Sequence, residues 1–249
     1  MPEVDRSLHD YLSHALTVAV RSGFGRDADI LADIEERVAD ELGEPDEALV
    51  RELKAEAKRL LAAQRAAEAT WKTATVNDAI DRAFAELDAA GIVALQNAGY
   101  TMSDGWEDVN ELATERAKRG RPRGATFYHG QDLERGVAGE GLLLAFGSYI
   151  EGPTHEAESE AIAREICEVL ARHGVKTTWN GKVDMRIHIE PFEWRKRRWT
   201  KAPEGKPEAG RGKKAKKVAK KAARKVAKPA AKKTAKRVTK KAKKSARRR

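Results

Sequence analysis

The residues best placed to do chemistry are His129, Gln131 and Asp132, three polar side chains that directly follow a predicted strand. A histidine beside a carboxylate can act in general acid–base catalysis, because imidazole titrates near neutral pH. One hypothesis is therefore an enzyme of unknown reaction that uses these three residues. The alternative, which we favour, is that His129 makes a structural hydrogen bond beside the strand and that the body of the protein is not catalytic.

Residue spacing elsewhere argues against the common cofactor and metal sites. The glycines of segment 136–141 precede an apolar strand instead of opening a helix, so they lack the setting of a dinucleotide-binding loop. His9 and His14 do not share a helix face. Cys167 is the single cysteine, which excludes an internal disulfide framework and a multi-cysteine metal site. The sequence predicts no metal and no cofactor.

Positive charge is concentrated at one end of the chain. Residues 201–249 contain 23 Lys and Arg against two Glu, a local charge of +21, whereas the whole chain of 249 residues carries only +10. The first 200 residues must therefore carry a charge of −11. Opposite charges on two parts of a chain predict an interaction arm on an acidic body, not a uniformly basic binding domain.

The basic arm, residues 200–249, repeats short Ala/Lys blocks such as 215–221 and 231–237. This composition cannot bury enough apolar surface to offset the entropy of ordering, so the arm is predicted to be disordered without a partner. Its cations suit the phosphates of a double helix, which they would bind by releasing counterions and without reading sequence. DNA is favoured over RNA as the partner, while a solubilising arm or one that contacts acidic proteins stays an alternative.

The side chains expected to contact phosphates are the lysines and arginines of the arm from residue 213 onward: Lys213, Lys214, Lys216, Lys217, Lys220, Lys221, Arg224, Lys225, Lys228, Lys232, Lys233, Lys236, Arg237, Lys240, Lys241, Lys243, Lys244, Arg247, Arg248 and Arg249. In composition and in its Ala-Lys-Pro repeats, the arm resembles the C-terminal tails of linker histones and the lysine-rich arms of some bacterial nucleoid proteins. The resemblance implies DNA binding and compaction.

Two shorter basic segments lie in the body. In segment 118–123, Arg119 and Arg121 flank a glycine and precede a proline, which resembles the AT-hook that lies in the minor groove of A·T-rich DNA. We favour the alternative that this segment ends a helix, with its glycine beyond the last residue and its proline blocking continuation. Segment 192–199 mixes aromatic and basic residues. It either contacts nucleic acid or packs its rings against the sheet with its cations in solvent, and both interpretations stay open.

The elements that must position these residues follow from hydrophobic periodicity. Residues 1–91 contain four segments with apolar residues three and four apart, which predicts a helical region, and Thr75 with Asp78 resembles a capping box for the fourth helix. Over 92–199 helical and alternating segments intermix, which predicts an α+β domain with helices packed on a small mixed or antiparallel sheet. The arm, 200–249, is the third region.

A hairpin is the clearest local signal in the α+β domain. Asn180-Gly181 is the dipeptide favoured in two-residue type I′ turns, and apolar and polar residues alternate after it. The returning strand is therefore predicted to bury one face, formed by Val183, Met185, Ile187 and Ile189.

Several motifs of the body resemble a bacterial domain family of unknown function. They are the Tyr-His-x-Gln-Asp segment at 128–132, the Gly-Leu-x-Leu-Ala-Phe-Gly strand at 141–147, the Trp-x-Gly of the hairpin at 179–181 and the arginine-rich end at 194–198. The resemblance covers residues 80–199 and implies no activity. Leu143 stands where the family has an aromatic residue, so no role of that ring is carried over. The Tyr-His-Gly opening also resembles ADP-ribosyltransferases, in which such a histidine contacts NAD, although no catalytic Glu matches that pattern.

Neither a membrane span nor an export signal is evident in the sequence. The apolar stretches are too short to cross a bilayer, and the N-terminal residues lack the basic start and apolar run of a secretory signal. We therefore expect a cytoplasmic protein that is held on the nucleoid by its arm. The favoured function is non-specific nucleic-acid binding by a non-enzymatic, DNA-tethered protein. The alternative is an enzyme in 92–199 that the arm localises to DNA.

Overall fold

The computed structural model describes residues 6–71, 74–118 and 120–198. In these ranges the chain forms seven helices and five strands. The helices are α1 (Arg6–Ser22), α2 (Asp27–Leu42), α3 (Glu47–Thr70), α4 (Val76–Ala89), α5 (Met102–Arg116), α6 (Gly130–Val137) and α7 (His155–Arg172). The strands are β1 (Ile92–Gln96), β2 (Gly124–Tyr128), β3 (Leu142–Ser148), β4 (Thr177–Thr178) and β5 (Ile187–Ile189). The predicted disordered arm lies outside the described residues.

Helices α1, α2 and α3 form a bundle with its own hydrophobic core. Each helix places apolar residues three or four positions apart, such as Ile30, Ile34 and Val38 of α2, and these side chains are buried together. Helix α2 ends at Gly43, whose φ of 87° is a left-handed conformation that glycine adopts without strain. The side chain of Asp46 then accepts hydrogen bonds from the first amides of α3. These local caps fix the point at which the chain reverses between α2 and α3.

The five strands form one mixed sheet in the order β1-β2-β3-β5-β4. Strands β1 and β2 are parallel, and α5 makes the crossover between them. The pairs β2 with β3, β3 with β5 and β5 with β4 are antiparallel. The predicted α+β class with a small mixed sheet and packed helices is therefore confirmed.

Helices cover both faces of the sheet. Helices α4 and α7 share a core with one face, which includes Ile92 and Leu144, whereas α5 packs on the other face with Val93 and Phe127. The neighbours Ile92 and Val93 enter opposite cores because successive side chains of a strand point to opposite faces. Gly105 of α5 lies so close to the Phe127 ring that any side chain at this position would collide with it. This close approach fixes how α5 sits on the sheet.

Helix α4 begins as predicted but packs with the sheet. Its first turn contains the capping box of Thr75 and Asp78, in which each side chain accepts a backbone hydrogen bond from the other residue. Its buried residues, including Ile80 and Phe84, belong to the core that α7 and the sheet share. The described part of 1–91 is thus helical up to β1, and its last helix packs against that strand. The domain boundary at residue 91 stays a prediction.

The predicted hairpin is present, but its two-residue turn is not. Only Thr177 and Thr178 pair with β5, so residues 179–186 form the connection. The indole Nε1 of Trp179 donates to the carbonyls of Lys182 and Met185, at 3.0 and 3.1 Å. These two hydrogen bonds close a wide loop, and the prediction of a type I′ turn at Asn180-Gly181 was wrong.

The wide loop also changes which side chains face the core. Ile187 and Ile189 are buried as predicted, with 0% and 1% exposure. Val183 and Met185 are exposed at 42% and 55%, because they lie in the loop and not on a strand. The alternating pattern therefore predicted the buried face of β5 correctly and extended it too far toward the turn.

Strand β1 is an edge of the sheet, and a side chain of its own chain occupies part of that edge. The N–H of Ala94 donates to Asp88 Oδ1 at 3.4 Å, from the end of α4. Arg116 of α5 forms an ion pair with the same carboxylate. The N–H of Ala94, which does not pair with β2, therefore has its hydrogen-bond acceptor within the same chain.

Candidate functional site

His129 lies between β2 and α6, a short helix that the pattern did not predict. It is the N-cap of α6, and its ring Nδ1 accepts a hydrogen bond from the backbone N–H of Asp132. The Asp132 carboxylate accepts one from the N–H of His129 in return, and both distances are 3.4 Å. The two residues form a capping box in which a histidine replaces the usual Ser or Thr. His129 therefore sits at the end of the strand, bound to the helix that follows.

Arg186, in the loop between β4 and β5, completes this cluster. Its Nη1 lies 2.9 Å from Asp132 Oδ2, and His129 Nε2 lies 3.1 Å from the same oxygen. The side chains of His129 and Asp132 are 6% and 2% exposed, so Arg186 balances a carboxylate that is shielded from water. Sequence reasoning missed Arg186 because it lies 54 residues beyond Asp132. In sequence, Arg186 alternates with the apolar residues of the predicted returning strand. The pattern therefore predicted only that its side chain lies on the face opposite the core.

The hydrogen bonds define the protonation state of His129. Because Nδ1 accepts from a backbone amide, the ring is neutral and its proton is on Nε2, which lies 3.1 Å from Asp132 Oδ2 and 3.4 Å from Arg186 Nη1. Burial lowers the pKa of His129 below its ordinary value, the Asp132 carboxylate opposes this effect, and Arg186 adds to it. Both ring nitrogens are thus engaged. This arrangement fastens α6 to the end of β2 and to the β4–β5 loop.

Gln131, the third predicted residue, does not join the cluster. It is exposed, and its backbone N–H donates to the carbonyl of Tyr100 at 3.3 Å. Two of the surface cavities lie elsewhere on the body. One of about 50 Å³ is lined mainly by apolar residues of the bundle, and an open one of about 440 Å³ is lined by residues that include Arg121 and Tyr149. His129 lines neither of them.

We expect that His129→Ala lowers the free energy of unfolding by about 1–3 kcal/mol at pH 7.5, because it removes the acceptor of the Asp132 N–H in the first turn of α6 and leaves the buried Asp132 carboxylate with Arg186 as its side-chain partner. The loss should shrink near pH 5.5. Unfolded histidine takes up a proton near pH 6.5 whereas folded His129 resists protonation, so acid removes the contribution of His129 to the stability of the wild type, and the variant has no such contribution to lose. Urea denaturation at the two pH values measures both effects. His14→Ala, at an exposed position on α1, is the control, and equal stability of all three proteins would contradict the structural role.

The end of the body, residues 192–198, forms an extended segment that we call the strap. Its aromatic residues Phe192 and Trp194 stack with ring centroids 5.8 Å apart and pack against the core of α4, α7 and the sheet. Lys196 and Arg198 are buried, with 7% and 3% exposure. The packing interpretation is therefore confirmed for the rings, whereas its expectation of cations in solvent is wrong for these two residues.

Two strap cations bind carboxylates of α4. Lys196 Nζ lies 2.6 Å from Asp81 Oδ1, and Arg197 Nη1 lies 2.6 Å from Asp78 Oδ2. Burial opposes ionisation of Asp78, but a hydrogen bond from the amide of Thr75 and the charge of Arg197 outweigh burial and lower its pKa. The carboxylate that caps α4 thus also holds the strap.

Arg198 reaches into the bundle. Its side chain is 0% exposed, and its Nη2 lies 2.9 Å from Asp27 Oδ1. The guanidinium also donates to the carbonyls of Val20 and Gly25. Val20 belongs to the last turn of α1, whose carbonyls lack helical partners and attract positive charge. Glu68 of α3 accepts the backbone N–H of Arg198, so this residue contacts all three helices of the bundle.

The AT-hook-like segment connects α5 to β2. Arg119 lies outside the described residues, Arg121 is exposed and Pro122 is buried. The guanidinium of Arg123 donates to both oxygens of Glu165, at 2.7 and 3.0 Å. The segment therefore occupies the helix-to-strand connection that the favoured alternative expects. A contact of Arg119 or Arg121 with the minor groove stays a prediction.

Residues 6–71, 74–118 and 120–198 offer neither a metal site nor a membrane-spanning helix. These ranges contain no group of three His, Cys, Asp or Glu side chains that could hold a metal ion. None of their helices is long and apolar enough to cross a membrane. Cys167 is half-buried, and burial raises the pKa of its thiol. The cations from Lys213 onward, predicted to contact phosphates, lie outside the described residues.

Comparison with known proteins identifies the family of the body. No curated protein and no solved structure matches the chain. A family described as a domain of unknown function, DUF6891, matches residues 5–198. The match begins just before α1 and ends on Arg198, so it includes the bundle as well as the sheet and the strap, and extends beyond the 80–199 of the sequence resemblance. The chain therefore belongs to the family of the domain of unknown function DUF6891.

Proposed function

We propose that the protein binds nucleic acid without sequence preference through its basic arm, residues 200–249, and that DNA is its preferred partner. The arm would hold the DUF6891 body on the nucleoid, in the manner implied by its resemblance to linker-histone tails. The lysines and arginines of the arm would neutralise phosphates and release the counterions condensed on DNA. The arm has no aromatic side chain to stack on bases.

The division of charge is the observation that carries this proposal. The arm beyond residue 200 has a charge of +21, and the preceding 200 residues have a charge of −11. A polyanion is attracted by the first field and repelled by the second. Nucleic acid is therefore expected to meet this protein through the arm.

The strap supports the same division. Lys196, Arg197 and Arg198 stand just before the arm in sequence, yet their charges are balanced by carboxylates of α2 and α4. Binding phosphate with Arg198 would require breaking ion pairs and carbonyl contacts inside the body. These cations are therefore poor candidates for phosphate contacts, and the arm is left to supply them.

The alternative of an enzyme gains no support from the cluster of His129, Asp132 and Arg186. A general base needs a free ring nitrogen that can reach a substrate. Here Nδ1 accepts from a backbone amide, and Nε2 lies against the Asp132 carboxylate. The cluster is better explained as the fastening of α6.

Salt dependence tests the proposal. Full-length protein is expected to bind a labelled duplex with an affinity that falls steeply with salt, with a log–log slope of roughly −0.9 for each phosphate neutralised. Fluorescence anisotropy at several sodium chloride concentrations measures this slope. A·T-rich and G·C-rich duplexes of equal length should give nearly equal affinities. A slope near zero, or a strong preference for one sequence, would contradict non-specific binding through the arm.

A further inference from the structure

The described body contains three hydrophobic cores, one in the bundle and one on each face of the sheet. The core of α1, α2 and α3 shares no residue with the core that α4, α7 and the sheet form. Phe24, between α1 and α2, packs against the sheet-side core, and α1 also contacts α6. Parts of a chain that have their own cores and a small apolar junction move relative to each other unless other contacts hold them.

The strap supplies such contacts. Several of its residues bind α4, on the sheet side. Lys196 and Arg197 bind α4, and the backbone N–H of Arg195 donates to Asn77 Oδ1 at 2.7 Å. These residues keep the strap on the sheet side.

Toward the bundle, Arg197 Nη2 donates to the carbonyl of Trp71 at the end of α3, and Lys196 Nζ lies 4.7 Å from the centroid of the Phe24 ring. The fully buried side chain of Arg198 lies inside the bundle, where it meets Asp27. Breaking the contacts of this guanidinium would remove a buried attachment of the strap to the bundle.

Gly23 allows the strap to approach the bundle this closely. Its φ is +78°, and a Cβ at this position would lie 2.9 Å from the carbonyl oxygen of Lys196. The strap therefore passes directly over the end of α1, where Arg198 finds the carbonyl of Val20.

We propose that Arg198 holds the bundle against the sheet side and that this contact can be released. When Arg198 withdraws, the bundle opens as a separate cooperative unit, while α4–α7 and the sheet stay folded. Regions with their own cores open sub-globally when few contacts join them to the rest. The Arg198 side chain is sealed from water, but its partner Asp27 is 38% exposed, so solvent reaches the junction at that carboxylate. The proposal goes beyond nucleic-acid binding and does not depend on it.

Asp27→Asn in the full-length protein tests this proposal, because it preserves the shape of the side chain and removes the charge that balances Arg198. Asp29→Asn is the matched control. Both residues lie in the first turn of α2, but Asp29 pairs with Arg26 at 2.6 Å at the surface. Removing either carboxylate weakens the favourable interaction with the helix dipole to a similar extent. Asp27 also pairs with Arg65 of α3 at 3.2 Å, but both side chains are about one-third exposed, and a pair of this kind contributes about 0–1 kcal/mol. Of the two variants, only Asp27→Asn acts on the strap.

Hydrogen exchange measured by mass spectrometry is the readout. Amides of α1, α2 and α3 are expected to exchange at least about tenfold faster in Asp27→Asn, and those of β1, β2, β3 and α7 should change by less than about twofold. Asp29→Asn should leave both sets near their wild-type rates. Equal acceleration of the bundle and the strands, or loss of protection throughout the body, would overturn the proposal. Identical bundle exchange in the two variants would overturn it as well.

Discussion

A chain that ends at residue 200 is expected to lose nearly all binding to duplex DNA. The remaining body has a charge of −11 and should be repelled by phosphate, whereas the removed segment carries +21. The isolated segment 201–249 should still bind. At low salt it should bind more tightly than the full-length protein, because the acidic body competes for its cations until ions screen both attractions. Titration of a labelled duplex with the three proteins at several salt concentrations measures these differences.

The shortened chain also provides its own folding control. It retains Arg198 and the whole strap, so its thermal unfolding should match that of the body in the full-length protein. Loss of binding with unchanged unfolding would assign the binding to the arm. If the 1–200 chain bound DNA as tightly as the whole protein and with the same salt slope, the proposed division between acidic body and basic arm would be wrong.

Arg198→Ala is expected to lower the free energy of unfolding by about 2–5 kcal/mol, because two shielded carbonyls each lose a donor at a cost of about 1–3 kcal/mol. These are the carbonyls of Val20 and Gly25, whereas Asp27 is 38% exposed and keeps its pair with Arg65. The substitution also empties the space between the bundle and the strap. Urea denaturation followed by far-ultraviolet circular dichroism measures the loss.

Arg195→Ala is the control within the same strap. Arg195 pairs with Glu193 at 2.6 Å, but the two side chains are 43% and 71% exposed, and pairs of this kind contribute about 0–1 kcal/mol. A comparable loss in both variants would mean that burial of Arg198 is not what stabilises the junction. No loss in either variant would mean that the strap contributes little to the stability of the body.

Features set by neighbouring residues could be predicted from the sequence. The capping box of Thr75 and Asp78 joins two residues three positions apart, and it begins α4 as expected. The stripe of Ile30, Ile34 and Val38 gives α2 its buried face in the same way. The class of the fold followed from these periodicities because each reports on a single element.

Features set by distant residues could not be predicted. Lys196 and Arg198 meet partners that lie 115 and 171 positions earlier, and nothing near the strap in sequence marks those carboxylates. The basic strap therefore suggested a surface for nucleic acid, although these two side chains are buried. Helix α6 escaped notice for another reason, since it has only eight residues and begins on a histidine, an uncommon N-cap.

The short-range hairpin signal failed where side chains compete with the turn. Asn180-Gly181 favours a tight reversal, but the Trp179 indole binds the carbonyls of Lys182 and Met185 and holds the loop open. This wide loop delivers Arg186 to Asp132, which a two-residue turn was not expected to do. The cluster of His129, Asp132 and Arg186 thus depends on a loop that does not form the tight turn which Asn180-Gly181 favours.

The hydrogen bond between Asp88 and the edge strand β1 affects how readily copies of this protein could associate at high concentration. A protein gathered along DNA by a basic arm, as proposed, would reach a high local density, and exposed strand edges of adjacent copies would then be prone to zip together into aggregates. Here the outward N–H of Ala94 is bound by Asp88, and Arg116 holds that carboxylate in place. An incoming strand would have to displace Asp88 and its ion pair with Arg116 to use this N–H. One donor of the edge is therefore closed to a strand of another copy, which lowers the tendency of such copies to associate through β1.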